Sequence, residues 1–118
     1  MSSLNDTSAA AERMAQQALA LGVDRIPPAV RARAEELLID VVGLCVAARN
    51  TDYMKSVIGG LDARGACTAI GHKTKFAPEQ AALINGTAAH GEDFDDTFEG
   101  GPVHSSAVVT PAVLAVCE

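Results

Sequence analysis

Ala77 to Ser106 reads APEQAALINGTAAHGEDFDDTFEGGPVHSS, and the fold and the chemistry of the chain both turn on it. Its first half has helical spacing. Pro78 suits the first turn of a helix, Glu79 and Gln80 follow it, and Ala81, Ala82, Ile84, Thr87 and Ala88 carry the pattern forward. The second half gathers Glu92, Asp93, Asp95, Asp96 and Glu99 between His90 and His104, whereas the third histidine, His72, lies in a polar turn outside it. No Lys or Arg follows Lys75, so this acidic cluster has no cationic partner nearby in sequence.

If the helix from Pro78 continues through Thr97, then at 100° per residue Gly86, His90, Asp93 and Thr97 share roughly one third of its circumference. That face carries an imidazole, a carboxylate and a hydroxyl above a glycine that leaves room for something to approach. Glu92 and Asp95 then fall on a solvated face. A carboxylate enclosed by apolar neighbours has a raised pKa and can act as a general acid or base near neutral pH. His104, past Gly100-Gly101-Pro102, can fold back to hold a substrate carboxylate or exchange protons. The hydroxyls and backbone N–H groups of Ser105 and Ser106, at a helix start, suit an anionic oxygen.

Outward from this stretch the chain reads as helices. A tail over residues 1–5 precedes a helix from Asp6 to Leu21, closed by Gly22. Pro28 opens a second helix in which Val30, Ala34, Leu37, Val41, Leu44 and Ala48 recur at three or four residues. Its second half, VVGLCVAA, is apolar on every side and is expected to be central and buried; Gly43 there would admit a neighbouring helix, and Asp40 reads as a boundary carboxylate. A short helix spans Asp52 to Leu61, capped by Thr51 or Asp52. Residues 66–70 are a candidate extended segment, followed by a turn over 71–75. The last helix starts either at Thr110-Pro111 or at Ser105 with a kink at Pro111. The expectation is an all-α fold, an incomplete helical domain over residues 6–118, whose pattern reaches Glu118 without a stop signal, as in a fragment.

At 118 residues, the chain can bury a core of its own. The hydrophobic share is 48% with only 3% aromatic and no Trp, which favours small residues in close-packed helices. A formal net charge of −6 with no basic run argues against nucleic acid and against acidic membrane surfaces. Cys45, Cys67 and Cys117 are odd in number and far apart, which suits reduced thiols. The N-terminal residues lack a signal-peptide pattern and no apolar run spans a bilayer, so a cytoplasmic protein is expected.

Two motif readings invoke Mg²⁺ and phosphate. Asp93 to Thr97 fits the DxDxT of haloacid-dehalogenase-type phosphotransferases, a motif that follows an apolar strand. Asp95 to Glu99 fits the helical DDxxE of isoprenoid synthases, whose cavities are lined by aromatic residues.

Three segments in order, ARAEELLIDVVGLCVAA, APEQAALINGTAAHGEDFDDT and PVHSSAVVTPAVLAVCE, resemble the MmgE/PrpD family, which includes 2-methylcitrate dehydratase, cis-aconitate decarboxylase and an iminodisuccinate epimerase. The resemblance covers about residues 10–118. It implies the first part of a large helical domain in a longer, homodimeric enzyme that moves a proton at carbon next to a carboxylate. Elimination, decarboxylation or inversion is the outcome, without metal or organic cofactor. Asp93 and Thr97 match the active-site Asp and Thr of the family's DFDDT segment, and His104 matches its active-site His; His90 and Ser105 are added here as substrate-binding candidates. After the histidine this chain has His-Ser-Ser where many members have His-Pro. The family's remaining catalytic histidines and lysines lie in later regions, so the expected partners are a small polycarboxylate and either a second copy or the remainder of the enzyme. From a different class, the chain can be read as a non-catalytic helical module that associates through its apolar surface.

Overall fold

The computed structural model describes residues 9–118. The tail expected over residues 1–5 and the helix start expected at Asp6 lie outside the described residues. Five α-helices and one two-stranded antiparallel sheet make up the regular structure among those residues, so the fold is mainly all-α. The chain divides into two compact units, Met1–Arg33 and Ala34–Glu118.

In the first unit α1 spans Ala10–Leu19 and a single 3-10 turn spans Val23–Arg25. The turn is held from both sides by arginines, with Arg25 Nη1 donating to the Ala20 carbonyl (3.3 Å) and Arg31 Nη2 to the Val23 carbonyl (2.8 Å). Pro28 then opens α2, Pro28–Ala48, at the position where a missing N–H costs nothing.

In the second unit only Val41, Cys45 and Ala48 of α2 are buried, while Ile39, Val42 and Val46 are exposed. The expectation that this half of α2 is buried all round is therefore corrected to one buried stripe, at the three- and four-residue spacing of a single helix face. A Cβ added at Gly43 would meet nothing within 4 Å, and Asp40 is exposed. Cys45 belongs to the stripe; burial pushes its thiol up to about 11, so it stays a protonated, small apolar residue. The short helix α3, Asp52–Gly59, follows at Thr51, whose hydroxyl donates back to the Ala48 carbonyl (2.8 Å) rather than capping α3.

The extended segment expected near residues 66–70 is present as β1, Cys67–Thr68, and it pairs with β2, Lys75–Phe76, placing Cys67 opposite Phe76. The connecting turn includes Gly71 at φ 86°, a left-handed conformation that glycine adopts freely. This small sheet is fastened to α4, Pro78–His90, by Asn85. The Asn85 side chain accepts from the Ile70 N–H (2.8 Å) and donates to the Thr68 carbonyl (2.9 Å), and it is 2% exposed. Around it Met54, Phe76, Ile84 and Val41 form the core.

The closing helix, α5, spans Ser105–Cys117 with Pro111 in its interior, which decides between the two starts considered above. Proline lacks the N–H that would bond the carbonyl four residues earlier, here Ala107. That carbonyl faces α4 at Gly86, where an added Cβ would lie 3.1 Å from the Ala107 oxygen and 4.0 Å from Pro111 Cγ. What approaches Gly86 is therefore the backbone of α5.

Candidate active site

Helix α4 ends at His90, not at Thr97. Gly91 caps it in a right-handed conformation, and Asp93 then turns the chain away at φ 57°, with its N–H donating to the His90 carbonyl (2.9 Å). Short polar side chains such as Asp accept this left-handed conformation more readily than most. The face expected to unite His90, Asp93 and Thr97 on one helix is thus replaced by a helix end and a loop. An antiparallel bridge between Phe98 and Val103, with the Phe98 N–H donating to the Val103 carbonyl (3.0 Å), folds the loop over Gly100-Gly101-Pro102. His104 follows directly and does return to the acidic residues, as expected.

The group assembled by this loop is His90, Asp93, Asp95 and His104. At its centre stands Asp95, the residue assigned above to a solvated face. Its side chain is 0% exposed, and the difference follows from the helix ending five residues before it. Asp95 Oδ1 accepts from His90 Nδ1 at 3.0 Å and lies 3.4 Å from His104 Nδ1. The second contact has no hydrogen-bond alignment, and His104 Nδ1 is a buried nitrogen with no other partner. The opposite nitrogen of His104, Nε2, lies 3.7 Å from Asp93 Oδ1 on the open side. The two imidazoles stand 4.6 Å apart, tilted by 59°. A buried carboxylate needs a compensating cation or donor, and the imidazoles take the place of the absent lysines and arginines.

Asp96, the second acid of the DDxxE reading, caps α5. Its Oδ1 accepts from the Ser106 N–H at 3.0 Å and from the Ser106 hydroxyl. The anionic oxygen expected at this helix start is therefore the protein's own, and Ser106 is taken. Ser105 and Thr97 are exposed and lie outside the His–Asp contacts. Replacing Asp96 by alanine is expected to cost about 1–2 kcal/mol, the worth of a charged N-cap, read as a lower urea midpoint.

The hydrogen bond and charge of Asp95, with Asp93 adding to them, raise the pKa of His90 above the ordinary imidazole value. A raised value means that the protonated pair stabilises the fold fully below the unfolded pKa and loses that contribution as pH rises through the folded one. Asp93 and His104 face the same pair, so they share its field. The thermal midpoint of the wild type should exceed that of His90→Gln at about pH 5.5 and converge on it by about pH 8.5. An unchanged difference would show that the pair carries no charge coupling.

Beside His90 an open groove of about 470 Å³ runs between α4 and α5, walled by Leu83, Gly86, Thr87, Ala107 and Val108. One donor atom from each of His90, Asp93, Asp95 and His104 lies within 4.8 Å of the others, close enough to share an ion. A set with two imidazoles suits Zn²⁺ or another first-row transition ion better than Mg²⁺. The two phosphate-enzyme readings meet neither of their requirements. A helix rather than a strand precedes Asp93, and the Asp95–Glu99 segment is a loop in which Asp95 and Asp96 are engaged by protein groups.

The family described as the MmgE/PrpD N-terminal domain matches residues 12–118. The chain belongs to the MmgE/PrpD family. Among curated proteins it is similar to the cis-aconitate decarboxylase of Aspergillus terreus, 33% identical over 102 residues, which are 83% of this chain and 21% of that protein. It is also similar to the cis-aconitate decarboxylase-like protein oryM of Aspergillus oryzae, 29% identical over 96 residues, 79% of this chain and 20% of that one. The chain thus spans about a fifth of the length of these relatives. No solved structure matches. No helix among the described residues is long and apolar enough to cross a membrane.

Proposed function

We propose that this family member is the N-terminal portion of a cofactor-independent lyase or isomerase that acts on a small polycarboxylate by proton transfer at the carbon beside a carboxylate. The observation that carries the reading is the placement of His104 between two carboxylates. Its Nε2 faces the exposed Asp93 and its Nδ1 faces the buried Asp95, an arrangement that lets one imidazole nitrogen exchange a proton with a bound molecule while the other is held. Asp93 shares in that proton handling, Thr97 on the same loop positions the substrate, and His90 and Ser105 border the substrate. The cations that a polycarboxylate requires have no counterpart after Lys75 in this sequence, so the remainder of the enzyme supplies them. A cytoplasmic homodimer is the assembly in which we place it.

The DNA immediately downstream of codon 118 tests the reading. An open frame that continues with Lys- and His-containing helical sequence, and whose product exchanges the carbon-bound protons of cis-aconitate or 2-methylcitrate with D₂O, supports it. Turnover of either compound by the 118 residues alone would sink the partial-enzyme reading.

A second reading rests on the exposure of Leu83, Val108, Val109, Val113 and Val116 on α4 and α5. Here the chain is a non-catalytic module that self-associates through these side chains. Sedimentation of a well-behaved monomer counts against it, and a stable oligomer without ligand binding counts for it.

A further inference from the structure

We propose that Asp95 is the positioning residue of this site: its buried carboxylate keeps the proton of neutral His104 on Nδ1, leaving Nε2 as the nitrogen that gives or takes the substrate's proton. The inference rests on the proton-transfer reading above and adds to it a residue and a direction. Three observations support it. Asp95 is the only acidic side chain among the described residues that is fully enclosed, so its charge has to be met by protein donors. One of its oxygens, Oδ1, faces Nδ1 of both histidines, at 3.0 Å for His90 and 3.4 Å for His104. Nδ1 of His104 is buried with no other acceptor, whereas Nε2 points to Asp93, whose side chain is 79% exposed.

An imidazole has one proton to place when neutral, and the nitrogen beside a buried carboxylate is where it is most stable. Fixing it there sets both the ring orientation and the basic atom. His90 reinforces the arrangement by donating to the same oxygen, which holds the Asp95 carboxylate still.

Long-range ¹H–¹⁵N correlation spectra of the ¹⁵N-labelled chain read the tautomer of each histidine directly, whatever reaction the enzyme performs. Wild-type His104 in its neutral form is expected to show the proton on Nδ1. In Asp95→Asn the carboxamide removes the charge that favours that form, and His104 should shift toward the Nε2-protonated form, while Asp95→Glu retains the wild-type tautomer. A wild-type His104 protonated on Nε2 overturns the proposal by itself, so the outcome does not depend on the variants folding. An unchanged tautomer in a folded Asp95→Asn overturns it as well. In the longer enzyme, Asp95→Asn should lower kcat about 10- to 100-fold with little change in KM, as loss of imidazole-orienting partners does elsewhere, and Asp95→Glu should recover part of it. The expected tautomers in a longer enzyme that is inert toward polycarboxylates would uphold Asp95 as the residue that orients His104 and reject the substrate class.

Discussion

Asn85→Ala is expected to destabilise the second unit by about 2–5 kcal/mol, with the urea midpoint falling and the denaturation slope unchanged. The size follows from what the side chain does. One carboxamide satisfies the Ile70 N–H and the Thr68 carbonyl together, and both lie in the short β1 region that has only a two-residue partner strand. Alanine leaves a donor and an acceptor unmet at a position 2% exposed, and each unmet buried group costs about 1–3 kcal/mol. The Cys45 thiol, which donates to the Asn85 backbone carbonyl (3.3 Å), keeps its partner, so the loss is confined to the side chain. A fall of less than about 1 kcal/mol would mean that water reaches both groups and that the sheet is not fastened through Asn85.

His104→Gln is expected to do the opposite, leaving the fold in place, since its carboxamide still offers a donor to Asp95 and His90 keeps its own bond, and removing the chemistry. In the longer enzyme proposed above, kcat should fall by about 10²- to 10⁴-fold, the range for loss of a positioned acid or base. The two effects separate because His104 occupies the N-cap position of α5 without any side-chain capping bond; Asp96 does the capping. Glutamine keeps a polar side chain of similar reach but cannot exchange a proton near neutral pH. Asp93→Asn is the matching change on the other side of the site. It removes the carboxylate while keeping a side chain that tolerates the left-handed φ of 57°, so its effect on turnover is not confused with backbone strain. If His104→Gln turned over like the wild type, proton transfer at this histidine would be excluded.

Much of this was legible in the residues. The proline at the start of α2 and of α4, the three- and four-residue spacing of α2, the extended segment near Cys67 and the return of His104 all follow from local chemistry that packing did not override, whereas the partner strand at Lys75 reads as part of a turn. Asp95 was missed for an identifiable reason. Gly91 is a residue that commonly marks a helix end, and a helical wheel extended through such a stop signal assigns faces that do not exist. Once the chain leaves the helix at Asp93, residues five apart can meet, as His90 and Asp95 do. The overestimate for α2 has another origin. Composition reports how apolar a segment is, but not which of its faces meets a neighbour.

The meeting of Gly86 with Ala107 also makes two distant positions answerable to each other. Pro111 strips the Ala107 carbonyl of its helical partner, and Gly86 gives that oxygen the space in which it sits. A side chain at residue 86 pushes against an oxygen that cannot retract into a hydrogen bond, whereas a residue with an N–H at 111 would draw it back into α5. Substitutions at 86 and 111 therefore should not add, and a sequence that gains a side chain at the first tolerates it best when it has lost the proline at the second.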